Sequence, residues 1–285
     1  MELLEPENID ARVGWVLDTA VSNKISVILA GKHIGAYEAH RAAFEAAGIA
    51  LVTGVLSVQE LRLESKAIFT DECLSAGLAV VPGIAVETPE ELIASYEKLR
   101  AFGTVCIKPV KGIYGAGFWR FDEQADPFSC IAYPDNRRIR FETYLNIFSE
   151  SDNRRPQLIM PHTPGDEVST DIVVEAGKPI AWVGRRKKDI YQYFENRGPA
   201  VDLALDAVSH FGLDGIVSVQ TKEDSQGKPH LLEINLRYSG GIAYTHLSGV
   251  NLPGIFSCRR LGLAVPDQSW LDGVRIKAVT TAIGL

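Results

Sequence analysis

The sequence predicts a mixed α/β protein, and three stretches carry that expectation. Helix-period and strand-period segments alternate through the first 52 residues. Residues 104–121 read as strand, glycine-rich loop, strand, and residues 214–222 and 230–237 as two strands joined by a turn-prone linker. The 285 residues, 46% hydrophobic and 23% charged, suffice for two or three subdomains with cores of their own.

Composition narrows the partners. A formal net charge of −7 argues against a nucleic-acid ligand, which calls for a basic face. Cys73, Cys106, Cys130 and Cys258 are scattered without a C-x-x-C pair, so neither a zinc site nor a disulfide framework is expected, and a reducing cytoplasm fits best. The leading MELLEPENID is acidic where a signal peptide is basic and then apolar. No apolar run approaches the roughly 20 residues that span a bilayer, so no membrane role is expected.

In chain order, Val13, Val16, Leu17 and Ala20 recur at helical spacing within residues 9–23, and KISVILA at 24–30 reads as a short buried strand ended by Gly31. An alanine-rich helix at about 35–47 stops at Gly48, before a strand at 49–52. LRLESKAIFTDECLSAG at 61–77 reads as one helix closed by Gly77; Lys66 on it has an equal reading as an exposed helix lysine. TPEELIASYEKLRAFG at 88–103 opens with a Thr cap, Pro at the first helical position and acidic residues in the first turn, the marks of a helix start.

TVCIKPVKGIYGAGFWRF at 104–121 places Lys108 at the end of an apolar strand, followed by Lys111 and a loop with Gly112, Gly115, Ala116 and Gly117. Glycines let backbone N–H groups approach phosphate oxygens and a neighbouring lysine adds a point charge, so this loop can cradle a triphosphate. Most glycine-rich hairpin loops are only turns, and Lys111 is as readily solvated as bound. DNRRIRFETYLNIFSE at 135–150 is expected to be an amphipathic helix with Arg137, Arg138 and Arg140 on its wet side, followed by a loop at 151–157.

LIM at 158–160 begins an extended buried segment whose backbone groups from Met160 to His162 can pair with a planar base; a lone loop histidine is more often exposed than catalytic. Glu167, Ser169 and Asp171 share one strand face, with Val168, Thr170 and Ile172 on the other. KPIAWVGRRKK at 178–188 returns as a hairpin partner through EAGK and ends in four cations, by default a surface run. Strand register decides which of Arg185 and Arg186 faces inward. Residues 196–215 are helical from about Pro199 and pack through Val201, Leu205, Val208 and Phe211.

In HLLEINLRYSGG at 230–241, Glu233, Asn235 and Arg237 alternate with Leu232, Ile234 and Leu236. Ile216, Ser218 and Gln220 share a face of the preceding strand, and DSQGKP at 224–229 can return the chain antiparallel, bringing Gln220 beside that polar row. One carboxylate and two amide carbonyls offer only oxygen, which Mg²⁺ accepts while keeping waters and substrate phosphates as its other ligands. Arg237, roughly 6–7 Å along the face from Asn235, can hold a phosphate oxygen or a carboxylate. A generic E-x-N-x-R strand is more often a surface strand with a wet polar face. Beyond it, a helix is expected from about residue 252 and a closing strand in VRIKAVTTAIGL at 274–285.

The ordered set resembles the ATP-grasp ligases, especially the branch containing the large subunit of carbamoyl-phosphate synthase. The resemblance rests on the Glu-x-Asn-x-Arg strand before Ser-Gly-Gly, the upstream strand ending in Gln, and the Lys-Pro strand with its glycine-rich loop; it runs from about Lys24 through nearly all the chain. It implies an α+β ATP-grasp fold with a shortened leading parallel α/β domain at 1–64, a small subdomain at 65–156, a C-terminal subdomain at 157–285, and the nucleotide between the last two. It implies ATP and Mg²⁺, two ions with Mn²⁺ able to substitute, on Gln220, Glu233 and Asn235. Lys66, Lys108, Lys111 and the loop residues Gly112, Gly115, Ala116 and Gly117 would meet phosphates, Met160 and His162 the adenine, and Glu167 the ribose, with Arg237, Lys108 and Arg186 catalytic. Two departures stand out: Ser65 replaces the family's aspartate before the lysine, and Met160 replaces a glutamate.

The activity implied is two-step: a carboxylate or bicarbonate takes the γ phosphate of MgATP to form an acyl phosphate, which a small-molecule nucleophile, most often an amine, then captures. Three other readings stay open: a carbamoyl-phosphate synthase-like subunit that forms the acyl phosphate alone, a non-catalytic ATP-binding regulatory or scaffold subunit, and an unrelated α/β binding protein whose motifs coincide by chance. The leading domain lacks the strand and glycine-rich turn that open it in the family. A homodimer contact or partner subunit that completes it is one expectation, an upstream start or a reduced domain the others.

Overall fold

The computed structural model describes residues 5–112 and 115–279. The chain divides into two compact units: the described residues of Met1–Leu61, Asp166–Thr221 and Ile234–Leu285 form one, those of Arg62–Gly165 and Lys222–Glu233 the other.

The first unit opens with α1 (Ile9–Ser22), whose start is fixed by the Asn8 side chain accepting the N–H groups of Asp10 and Ala11 at 3.0 Å each. Val13 and Ala20 pack on Phe44, Ile49 and Leu51. Strand β1 (Val27–Leu29) leads to α2 (Ile34–Ala39), α3 (Arg41–Ala46) and β2 (Ala50–Val52), which pairs parallel with β1. The single helix expected at 35–47 is therefore two, broken at His40. A buried network coincides with the break: Glu38 accepts from Arg41 Nε at 2.8 Å and from the Thr53 hydroxyl, and Arg41 also donates to the Leu51 carbonyl at 3.0 Å.

The second unit begins in a 3₁₀ turn and α4 (Lys66–Ser75). The helix expected from residue 61 starts only at Lys66, because Ser65 is extended (φ −77°, ψ 113°) and caps it, accepting from the Ile68 N–H. Then follow β3 (Ile84–Val86), α5 (Pro89–Arg100), β4 (Val105–Pro109), β5 (Trp119–Phe121), α6 (Ser129–Ala132), β6 (Arg138–Ile139), α7 (Phe141–Glu150) and β7 (Gln157–Pro161). The strands form one sheet in the order β3-β7-β4-β5-β6. Leu92, Tyr96 and Leu99 of α5 cover it with Phe121, Ile139 and Phe148.

The helix expected at 135–150 begins only at Phe141. Arg137 adopts φ +52°, which an α-helix cannot contain, and Ile139 is drawn into the core as part of β6, parallel to β5. Two arginines of this stretch are engaged rather than merely wet: Arg138 pairs with Asp122, and Arg140 Nε donates to the Ala125 carbonyl at 2.6 Å.

The chain then forms β8 (Glu167–Glu175), β9 (Lys178–Lys188), β10 (Tyr191–Glu195), α8 (Pro199–His210), β11 (Gly215–Glu223), β12 (Pro229–Asn235), α9 (Leu252–Arg260) and β13 (Arg275–Ile276), all in the first unit except Lys222–Glu233, which includes the end of β11 and most of β12. The sheet order is β12-β11-β8-β9-β10-β13. A two-residue turn with Ala176 and Gly177 both at positive φ joins β8 to β9. The linker between β11 and β12 is folded by Asp224, whose carboxylate accepts the N–H groups of Gln226 (2.8 Å) and Lys228 (3.0 Å).

The one-faced polarity expected of β8 is not seen: Val168 through Val174 are all buried, because both faces of the sheet are covered. On one face Val173, Val183, Phe194 and Ile216 pack against Leu252, Ile255 and Phe256. On the other lies α8; a Cβ on Gly184 would sit 2.9 Å from Val201 Cγ2. Strand β10 was not anticipated, since its Tyr-Gln-Tyr-Phe-Glu follows directly on the basic run. Among the described residues the closing strand is β13, paired with β10; residues 280–285 of the expected strand lie outside the described residues.

Candidate functional site

In the second unit, the carboxyl end of β4 and the first turn of α4 converge on Leu232 and Glu233 of β12. Lys66, placed by the Ser65 cap, has its Nζ 3.3 Å from Glu233 Oε2 and donates to the Gly112 carbonyl at 3.0 Å. Its own N–H donates to the Val110 carbonyl at 3.1 Å, which ties α4 to the strand that leads into the loop. Lys108, 8% exposed, lies 3.5 Å from the Leu232 carbonyl. One ammonium group thus lies against the Glu233 carboxylate and a second at the carbonyl of the residue before it, next to a glycine loop, two cations suited to polyphosphate.

Within the loop, Gly115 and Gly117 take φ of +65° and +77°, and a Cβ on Gly117 would lie 2.7 Å from Pro109 Cγ. Gly112 has no such demand, and Lys111 and Ala116 do not join the cluster: both are exposed. Ile113 and Tyr114 lie outside the described residues.

At the far end of β4, the His162 N–H donates to the Thr104 carbonyl at 2.8 Å. Cys106 faces Met160 two residues further along the antiparallel pair, so the backbone groups of Met160 also turn toward β4, and it is the Pro161 carbonyl that points the other way. Burial lowers the pKa of His162, and the Arg120 and Lys222 charges lower it further. Burial pushes the Cys106 thiol up to about 12.

In the first unit, register separates the two arginines of β9. Arg185 lies opposite Ser169 and shares a face with Asp171; Arg186 lies opposite Val168 on the α8 face. Arg186 bonds Glu195 Oε2 at 3.0 Å and lies 3.5 Å from Asp166. Arg185, 4% exposed, donates from Nε to Asp171 Oδ2, from Nη1 to Gln192 Oε1 and from Nη2 to Ser239 Oγ, each at 2.8 Å. Glu167 pairs with Lys187 across the same strands. Arg237 is half-buried, its Nη1 3.4 Å from the Tyr238 carbonyl.

Strands β11 and β12 are neighbours, so Gln220, Glu233 and Asn235 are carried by adjacent strands. Ile234 and Leu236 are buried while Glu233, Asn235 and Arg237 keep part of their surface, in keeping with the alternation. Among the described residues no group of three or more His, Cys, Asp and Glu side chains could hold a metal ion. The donors on offer are one carboxylate and two amides, a set that fits a hard divalent ion retaining water and phosphate ligands.

Sequence reasoning missed Asp171 as a partner of Arg185, and Ser239, Gln192 and two close approaches. A Cβ on Gly54 (φ +86°) would fall 2.6 Å from the Leu236 carbonyl carbon, and one on Gly31 would fall 2.6 Å from Tyr238 Oη. The Ser-Gly-Gly string itself was the available signal for Ser239; the glycines at 31 and 54, each following a short strand, gave none beyond a turn.

Residues 153–282 match the family model described as ATP-grasp in the biosynthetic pathway with Ter operon. A search of curated proteins finds no significant match. Among solved structures, the chain is similar to biotin carboxylase from Campylobacter jejuni, at 16% identity and a TM-score of 0.64 over 92% of this chain and 59% of that one. It is also similar to N5-carboxyaminoimidazole ribonucleotide synthetase (16%, 0.63, over 93% and 66%). The L-amino acid ligase of Bacillus licheniformis gives 16% and 0.58, over 88% and 60%. The fold is thus the α+β ATP-grasp fold; neither comparison singles out the carbamoyl-phosphate synthase branch.

Proposed function

We propose that this chain is an ATP-dependent ligase that activates a small-molecule carboxylate as an acyl phosphate and passes it to an amine. The contacts of Lys66 with Glu233 and with the Gly112 carbonyl, together with Lys108 at the neighbouring Leu232 carbonyl, carry the proposal, because they gather two cations, the start of a glycine-rich loop and a metal-ligating type of carboxylate.

Lys108 and Lys66 would hold the phosphates, with Lys66 also fixing Glu233, and the glycine loop would exclude water. Gln220, Glu233 and Asn235 would hold Mg²⁺, which when bound supplies charge neutralisation to the phosphoryl group. Arg237 would hold the acceptor oxygens, the Pro161 carbonyl an adenine amine and Glu167 the ribose. The engagement of Arg186 with Glu195 and Asp166 argues for a supporting role on the α8 face. No protein nucleophile is needed; positioning and electrostatics suffice. The proposal includes the division at 1–64, 65–156 and 157–285, a cytoplasmic setting, and a second copy or partner subunit beside the small β1–β2 sheet.

The test is thermal stabilisation by ATP, ADP and a nonhydrolysable ATP analogue, with and without Mg²⁺, in the wild type and in Glu233→Ala. Saturable, Mg²⁺-dependent stabilisation that Glu233→Ala weakens is expected, followed by ADP release with the right carboxylate and amine pair. No stabilisation by any nucleotide would sink the proposal.

A further inference from the structure

The second unit holds a cavity of about 660 Å³ at the start of β4 and the end of β5, walled also by α5 and by Arg138 of β6. That volume lies within the roughly 300–1,000 Å³ in which small molecules bind. Its place on β4 is Val105, three residues and about 10 Å along the strand from Lys108, so it is separate from the lysine cluster. Three arginines and two carboxylates line it.

Four of these five groups are already matched. Arg100 Nη1 donates to Glu97 Oε1 at 3.0 Å, and its Cζ lies 5.7 Å from the centre of the Tyr96 ring. Glu123 Oε1 accepts the Tyr96 hydroxyl at 2.8 Å. Asp122 pairs with Arg138 and accepts the Gln124 N–H at 3.0 Å. Arg120 is the exception: it is half-buried, and its guanidinium has no acceptor among the described residues.

Register makes the surplus local. Arg120 lies directly opposite Arg138 in the parallel pair of β5 and β6, so both side chains leave the same face of the sheet. Like charges at opposed positions repel, and Asp122 answers only one of them. A half-buried guanidinium without a counter-charge is costly, and an anion bound between the two strands removes that cost. Arg138 has donors beyond the one that Asp122 uses, because a guanidinium carries five N–H groups. Thr104 and Gln124, whose side chains form no hydrogen bond among the described residues, add neutral polar groups to the wall.

We propose that this cavity binds a small oxyanion, a phosphate or a carboxylate group, bridged by the guanidiniums of Arg120 and Arg138. The planar fork of arginine matches both groups, and three cations against two anions in the lining set the sign of the ligand. The site is additional to the lysine cluster and stands whether or not the chain is a ligase.

The test follows the Nε–H signals of ¹⁵N-arginine-labelled protein by NMR as inorganic phosphate or succinate is added, against sodium chloride at matched ionic strength. The signals of Arg120 and Arg138, assigned with Arg120→Gln and Arg138→Gln, should shift saturably with at least one of the two anions, and the anion that acts names the group. Arg120→Gln should weaken binding read at Arg138 about tenfold or more, the scale of a lost charge-assisted pair. Arg120→Lys should recover part of that loss, and Arg100→Gln, in the same wall but bound to Glu97, should change the affinity by less than about twofold. Shifts at Arg120 no larger than those with chloride, for both anions up to about 10 mM, overturn the proposal, as does equal weakening by Arg100→Gln and Arg120→Gln. The wild-type titration is repeated with ADP and Mg²⁺ present: shifts that persist support a separate site, and shifts that vanish assign the anion to the nucleotide's own place and overturn it.

Discussion

Lys66 shows how far a single residue's surroundings can change its meaning. From its place on a helix it is as well read as a surface lysine, yet its Nζ is 3.3 Å from Glu233 and 3.0 Å from the Gly112 carbonyl. What brings it there is Ser65: its cap starts the helix at Lys66 instead of five residues earlier, and so sets the direction of the side chain. Replacing Lys66 by Met should weaken Mg²⁺-dependent nucleotide binding by about tenfold, the scale of one lost charge-assisted hydrogen bond. Calorimetric titration checks it, and an unchanged affinity would return Lys66 to the role of a surface residue.

At the scale of elements, legibility follows whether the signal is local. Helix α5 was readable because its start is written in adjacent residues: Thr88 Oγ1 accepts the Glu91 N–H and the Glu91 carboxylate accepts the Thr88 N–H, both at 3.2 Å. Thr88→Ala should cost about 1 kcal/mol of stability, measured by urea denaturation; a loss within error would mean that packing of Leu92, Tyr96 and Leu99 alone holds the helix. Strand β9 is the opposite case. Its basic end reads as a surface run, whereas pairing with β8 buries Arg185 against Asp171 and turns Arg186 to the other face. Strand β10 escaped notice for the same reason, and β6 because Ile139 needs a core that the local sequence does not reveal.

For the whole molecule, the acid limb of stability should depend on Glu38. Burial acts to raise its pKa, but hydrogen bonds from Arg41 and Thr53 outweigh that and hold the carboxyl below its ordinary value. A carboxyl depressed on folding contributes stability above its unfolded pKa of about 4.3, and that contribution is lost as pH falls through the lower folded value. Glu38→Gln should therefore unfold at lower temperature than the wild type at pH 7, with the gap narrowing below about pH 4. A gap that stays constant with pH would mean that packing, not the charge, accounts for the loss. The network also joins the helices α2 and α3 to β2, so its failure is expected to be read out by the first unit's core around Phe44 and Leu51.

The sequence by itself determined the alternation of helices and strands, the glycine loop after Lys108, and the row of Glu233, Asn235 and Arg237 after a strand ending near Gln220. These signals are periodic or contiguous, and short-range sterics and hydrogen bonding are enough to express them. Only the tertiary structure decided that Lys66 belongs with Glu233, that His162 spends its N–H on Thr104, and that Arg185 rather than Arg186 shares a face with Ser169 and Ser239. Each depends on which strand lies opposite which, and a one-residue change of register reverses every side chain's face. Such choices are fixed by burial and pairing across residues tens of positions apart, which no local stretch of sequence contains.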